Sequence, residues 1–255
     1  MLILRKTSLV DYPGKVSAVL FLPGCNLRCP WCQNRELVLR GGPADASDPG
    51  GGGERFISRD EALAFVKKRR NLLGGVVLSG GEPTIHPDLG ALIGGIRCLG
   101  LPVKLDTNGM NPGALKKLFG DRESRPDYIA LDLKLAPRRY GALLPPGAAA
   151  RPPFDPAAAI VESAALIRDA GIPHEYRSLA LPGGFFDVGD MEALAPLVHG
   201  GPWHFRSFRP GNCLDPAWDS LPPPGEREAA ALAERAARCL DRGSPEGGGQ
   251  GAAGD

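Results

Sequence analysis

The chain has 255 residues, of which 43% are hydrophobic and 23% charged, the proportions of a globular protein with a sizeable core and not of a disordered chain. Thirty Lys and Arg against 29 Asp and Glu leave a formal net charge of +1, so bulk electrostatics gives no reason to expect a nucleic-acid or membrane-surface partner. The apolar stretch 16–22, interrupted by Ser17, is far shorter than the roughly 20 residues of a membrane span, and the N-terminus is apolar before Arg5, the reverse of a signal peptide, so a cytoplasmic chain with no membrane partner is expected.

In chain order, apolar β-branched runs at 16–22, 75–78, 103–105, 128–133, 174–181 and 203–208 predict strands. Helix-like stretches at 58–70, 87–98, 112–119, 156–170, 188–198 and 226–240 separate or follow them. Ser58 three residues before Glu61 reads as a capping box, and Pro87, Pro112 and Pro156 stand where a first helical turn tolerates proline. Near-continuous apolar strands alternating with helices predict an α/β fold with a parallel sheet, and six repeats suit a partial (β/α)6 TIM-like barrel better than a closed eight-unit one. The expected organisation is one core domain over 1–240, a flexible glycine-rich insertion at 41–53 and a disordered tail over 241–255.

Three of the six cysteines, Cys25, Cys29 and Cys32, fall in a C-x3-C-x2-C loop after the first expected strand, whereas Cys98, Cys213 and Cys239 are scattered. A disulfide framework is not expected in a reducing compartment. The triplet leaves three chemistries open. Zinc would need a distant fourth ligand such as Cys213; a thioredoxin-like pair Cys29/Cys32 would leave Cys25 without a role. Three thiolates on a four-iron four-sulfur cluster would leave one iron open to a small molecule.

Ligand sites of parallel α/β barrels lie where strands end, and the distinctive polar motifs fall there. Gly80, Gly81 and Glu82 follow the second strand: two glycines admit a ligand to the backbone and the carboxylate can accept from an ammonium group. Asp106 ends the third strand, and Asp132 with Lys134 the fourth, a set suited to a metal cation or the charged end of an amino acid.

The C-x3-C-x2-C spacing with Trp31 before the last cysteine, followed by Gly80-Gly81-Glu82, resembles the radical S-adenosylmethionine (radical SAM) superfamily. Ser8-Leu9-Val10-Asp11-Tyr12-Pro13-Gly14, the loop continuing to Gln33 and Asn34, Asp106-Thr107-Asn108-Gly109 and Asp132-Leu133-Lys134 are similar to its glycyl-radical-enzyme activases. The resemblance, over about 4–209, implies a barrel of the radical SAM type and one four-iron four-sulfur cluster held by Cys25, Cys29 and Cys32. It implies S-adenosylmethionine lying against Trp31, Gln33 and Asn34, its amino group at Gly80, Gly81 and Glu82. Asp106, Thr107, Asp132, Leu133 and Lys134 would surround its carboxylate, its ribose or an associated monovalent cation.

The implied reaction is reductive cleavage of S-adenosylmethionine to a 5′-deoxyadenosyl radical that makes a glycyl radical on a partner enzyme. That partner would be anaerobic ribonucleoside-triphosphate reductase, with a flavodoxin- or ferredoxin-type electron donor. Rival expectations are a carboxydeazaguanine-synthase-like enzyme acting on a small molecule and a zinc-stabilised binding module. Gln33 stands where many activases have histidine, and the sixth strand ends in Arg209 and Asn212 where some relatives offer one.

Other conspicuous residues have structural readings. Lys67-Lys68-Arg69-Arg70 complements a helix macrodipole at its last turn. Cys98 and Cys239 read as core or partly buried thiols, and His86 and His199 as capping or surface residues.

Overall fold

The structure is a computed structural model that describes residues 1–39, 56–147 and 154–243; the insertion expected at 41–53 and the tail from 244 onward lie outside the described residues. Among the described residues one sheet of eight strands organises the fold, in the order β3-β1-β2-β4-β5-β6-β7-β8. Strands β1 (Leu2–Tyr12) and β2 (Lys15–Leu22) form an antiparallel hairpin, and the short β3 (Phe56–Ile57) pairs with the outer edge of β1.

From β2 onward every pairing is parallel, through β4 (Gly75–Gly80), β5 (Val103–Thr107), β6 (Tyr128–Asp132), β7 (His174–Ala180) and β8 (Trp203–Ser207). These six strands agree with the six expected runs to within two residues, and the fold is the expected α/β partial barrel. The apolar pattern reveals neither the two-residue β3 nor the long β1. Arg5, Lys6 and Thr7 face solvent, and register shifts on either side of Ser8 interrupt its alternation.

The helices are α1 (Arg35–Leu39), α2 (Arg59–Arg69), α3 (Leu89–Arg97), α4 (Pro112–Gly120), α5 (Pro156–Asp169), α6 (Val188–Leu194) and α7 (Glu226–Gly243). Ser58 and Glu61 complete the capping box on α2, with Lys67, Lys68 and Arg69 in its last turn. α3 buries Leu89, Leu92, Ile93 and Ile96, the spacing of one helical face. That face packs against β5, and Val76, Leu78, Val103 and Leu105 belong to the same apolar core; burial of each such side chain contributes about 1.5–3 kcal/mol.

Local expectations change in four places. Pro87 precedes the N-cap Asp88 and lies outside α3, whereas Pro112 and Pro156 open α4 and α5 as expected. The helix expected over 188–198 ends as α6 at Leu194 and continues as a 3₁₀ turn, Ala195–Leu197, because Pro196 has no N–H to carry an α-helical ladder. α7 runs through Gly243, past the boundary expected at 240. Cys98, the C-cap of α3, is exposed and not part of the core. Among the described residues no helix is long and apolar enough to cross a membrane.

Candidate functional site

The thiol loop leaves β2 at Leu22 and is fastened by backbone from several directions. Gly24 N–H donates to Leu37 O at 2.8 Å, Arg28 N–H to Leu143 O at 2.6 Å, and Leu214 N–H to Cys32 O at 2.9 Å, while Asp215 N–H reaches Pro30 O at 3.0 Å. Arg28 Nη1 donates to Cys25 O at 2.7 Å, closing a local turn. His86, expected to cap a helix or lie at the surface, is instead buried with Nε2 2.8 Å from Pro23 O, against the start of this loop. Trp31 is buried in an aromatic cluster, its ring 5.5 Å from Phe185 and 5.3 Å from Trp218. Gln33 donates to Arg209 O, and Asn34 Nδ2 to Gly80 O at 3.1 Å.

The glycine pair has a structural reason beside the one read in the sequence. A Cβ on Gly80, whose φ is +124°, would lie 2.3 Å from Leu22 O, and one on Gly81 would lie 1.9 Å from Gly24 O. The two glycines therefore let β4's exit press against the backbone leading to Cys25. Gly81 N–H donates to Leu22 O and Glu82 N–H to Gly24 O, both at 2.9 Å. Glu82 itself is 1% exposed. Its Oε1 accepts from Thr84 N–H at 3.1 Å, Thr84 Oγ1 at 2.5 Å and Thr107 Oγ1 at 2.8 Å, and its Oε2 from Asn108 N–H at 2.7 Å. Burial raises its pKa, and the bonds from Thr84, Asn108 and Thr107 pull against that rise. A carboxylate has about four lone-pair directions, so Oε2 retains capacity for a ligand donor.

The opposite wall carries paired charges. Arg177, on β7, places Nε 2.8 Å from Asp132 Oδ1 and Nη1 3.3 Å from Asp106 Oδ2. Its guanidinium thus bridges the two carboxylates that were expected to flank a monovalent cation. Lys104, 1% exposed, lies 3.0 Å from Asp106 Oδ1 and 3.2 Å from Glu175 Oε1. Lys134 Nζ lies 3.3 Å from Asp132 Oδ2. Burial alone would raise Asp132, but the charges of Arg177 and Lys134 outweigh it and hold the carboxyl at about 2. Burial disfavours the Lys134 ammonium, yet Asp132 and the neighbouring thiols raise its pKa.

These walls enclose a cavity of about 1110 Å³ at the carboxyl ends of the parallel strands, lined by every one of the fourteen site residues expected from sequence. Arg177, Asn108, Ser178 and Arg206 also line it and were not among them. Arg177 had a readable signal: Lys104/Asp106 on β5 alternate with Val103 and Leu105, and Glu175/Arg177 flank Tyr176 on β7, a period of 2 that aims each pair at one sheet face. Of the two residues read at the sixth strand's end, Arg209 reaches the cavity, while Asn212 takes a left-handed backbone conformation with φ +59°.

Cys29 is buried and Cys25 and Cys32 are half-buried. Burial, and then the charge of Glu82, pushes the Cys25 thiol up to about 11; burial pushes Cys29 to about 12, with Lys134 opposing. Metal binding must therefore displace protons from both. Two N–H groups already point at Cys25 Sγ, from Leu27 backbone at 3.4 Å and Asn108 Nδ2 at 3.7 Å. Among the described residues, no three His, Cys, Asp or Glu side chains converge closely enough to hold a single metal ion. A mononuclear zinc site needs that convergence. Three soft thiolates set around one end of a cleft, with N–H donors to sulfur, fit a polynuclear iron–sulfur cluster bound through separate irons.

Comparison with known proteins agrees. The radical SAM superfamily profile matches residues 19–192. A Methanocaldococcus jannaschii protein named "Putative glycyl-radical enzyme activating enzyme" is 30% identical over 241 residues, covering 92% of this chain and 90% of its own. A 7-carboxy-7-deazaguanine synthase of Hyperthermus butylicus is 36% identical over 103 residues, 40% of this chain and 38% of its own. Among solved structures, a radical SAM methyltransferase from Sphaerobacter thermophilus superposes with a TM-score of 0.60 at 17% identity, covering 91% of this chain and 66% of that one, which speaks to fold alone. Thiol triplet, strand-end cavity and a profile spanning most of the barrel lead to one conclusion: the chain belongs to the radical SAM superfamily.

Proposed function

We propose that this protein is a glycyl-radical-enzyme activating enzyme. The observation that carries the reading is the likeness, along 92% of the chain, to a protein named for that activity; the deazaguanine-synthase likeness spans only 40%. Cys25, Cys29 and Cys32 would hold one four-iron four-sulfur cluster, with Trp31, Gln33 and Asn34 flanking the S-adenosylmethionine beside it. Such a cluster, reduced by a flavodoxin- or ferredoxin-type donor, would supply the one electron for cleavage of S-adenosylmethionine to methionine and a 5′-deoxyadenosyl radical, which would take a hydrogen atom from a glycine Cα of the partner.

The chain's own contribution is orientation and charge. The spare acceptor capacity of Glu82 Oε2, beside Gly80 and Gly81, suits the methionyl ammonium. Lys134 is bound to a single carboxylate at 3.3 Å and suits the methionyl carboxylate, while Asp106, Thr107, Asp132 and Leu133 complete that wall. Arg177 holds Asp106 and Asp132 in place. The partner that suits the sequence resemblance is anaerobic ribonucleoside-triphosphate reductase, in the cytoplasm.

The test combines the reconstituted protein, S-adenosylmethionine, a low-potential reductant and that reductase under anaerobic conditions. A glycyl doublet in the electron paramagnetic resonance spectrum is expected. Cleavage of S-adenosylmethionine with no radical on the reductase would overturn the choice of partner. If no glycyl-radical enzyme gave a doublet, a small-molecule substrate of the deazaguanine-synthase kind would replace the activase reading.

A further inference from the structure

Asn108 directly follows β5, is 4% exposed and has its N–H and both side-chain polar atoms engaged. Its N–H donates to Glu82 Oε2 at 2.7 Å, and its side-chain Oδ1 accepts from Met110 N–H at 2.9 Å. Since Oδ1 must face that N–H, the carboxamide orientation is fixed and Nδ2 points the other way. There it donates to Asn26 Oδ1 at 2.8 Å and to Cys25 Sγ at 3.7 Å. The first thiol of the triplet thus receives a side-chain N–H from a residue 83 positions away in the chain, on a strand end already tied to the Gly-Gly-Glu turn.

We propose that Asn108 is a positioning residue for the cluster ligand Cys25 and raises the reduction potential of the cluster bound there. The proposal rests on the iron–sulfur reading of the thiol triplet. An N–H aimed at a ligating sulfur draws electron density from it and favours the reduced state, which carries one more negative charge. The effect is strengthened in a buried site of low dielectric. The same contact keeps Sγ turned toward the cavity, because Asn108 is clamped at its backbone by Glu82 and at its oxygen by Met110.

The test reconstitutes wild type, Asn108→Ala and Asn108→Asp anaerobically, measures iron and acid-labile sulfide, and then titrates each with dithionite while following the reduced cluster's paramagnetic signal. All three are expected to carry equal iron. The midpoint should move to more negative potential in Asn108→Ala and further in Asn108→Asp, which replaces the donor with a carboxylate oxygen. Equal midpoints at equal iron would overturn the proposal. Wild type without iron or sulfide would overturn the cluster reading itself, a distinguishable failure. If the variants lose the cluster, wild type labelled with 15N-asparagine keeps the proposal testable: a nitrogen hyperfine coupling to the reduced cluster supports it, and no coupling overturns it.

Discussion

The two walls of the cavity treat buried charge in opposite ways. On the β2–β5 side the Glu82 carboxylate is satisfied by neutral donors, Thr84, Thr107 and the Asn108 N–H, all belonging to two adjacent strand exits. On the β5–β7 side Asp106, Asp132 and Glu175 are met by Lys104, Lys134 and Arg177. Short-range neutral hydrogen bonds have strict geometry and lock the backbone that carries the thiols. Ion pairs tolerate a change of partner, so this is the wall on which a zwitterionic ligand can exchange one charge for another. One wall is fixed by geometry, and the other can trade ion-pair partners.

The comparison breaks most severely at the thiols. Cys29→Ala should abolish the visible absorption of the reconstituted cluster and all cleavage of S-adenosylmethionine, since two thiolates do not hold it stably; a variant that stays coloured and active would contradict the ligand assignment. Next is Glu82→Ala, which strands three buried donor residues at about 1–3 kcal/mol each. Urea unfolding of the apo protein should show a loss of several kcal/mol, together with weaker binding of S-adenosylmethionine to the cluster-loaded protein.

Arg177→Met probes the receiving wall. At neutral pH it should cost about 3 kcal/mol by leaving Asp132 and Asp106 without their bridge. Asp132 titrates at about 2 in the folded protein, below the roughly 3.9 of an unfolded chain. Its stabilising contribution is therefore complete above about pH 4 and lost as pH falls toward 2. The gap between wild type and Arg177→Met, read from urea midpoints across this range, should accordingly narrow on acidification; a constant gap would show that the pair does not set the titration. Smallest is Ser58→Ala at the α2 capping box, remote from both walls, which should cost about 1 kcal/mol and leave cluster content unchanged.

What the sequence made legible follows the range of each interaction. The cysteine spacing is local, and parallel strands buried on both faces read as continuous apolar runs, so the thiol loop and six strands were visible. β1 was not, because its middle faces water and its register slips around Ser8. The Gly80-Gly81 pair was legible as a motif but not in its cause, since the backbone that excludes a Cβ belongs to Leu22 and Gly24. The pairings of Arg177 and Asn108 escaped for the same reason: their partners Asp132 and Cys25 lie 45 and 83 residues away, and only the folded sheet brings them together.

The most direct measurement is anaerobic reconstitution with iron and sulfide, followed by metal and sulfide analysis and incubation with S-adenosylmethionine and dithionite. One four-iron four-sulfur cluster per chain, with 5′-deoxyadenosine and methionine as products, is the result expected. A colourless protein holding stoichiometric zinc and releasing neither product would contradict it.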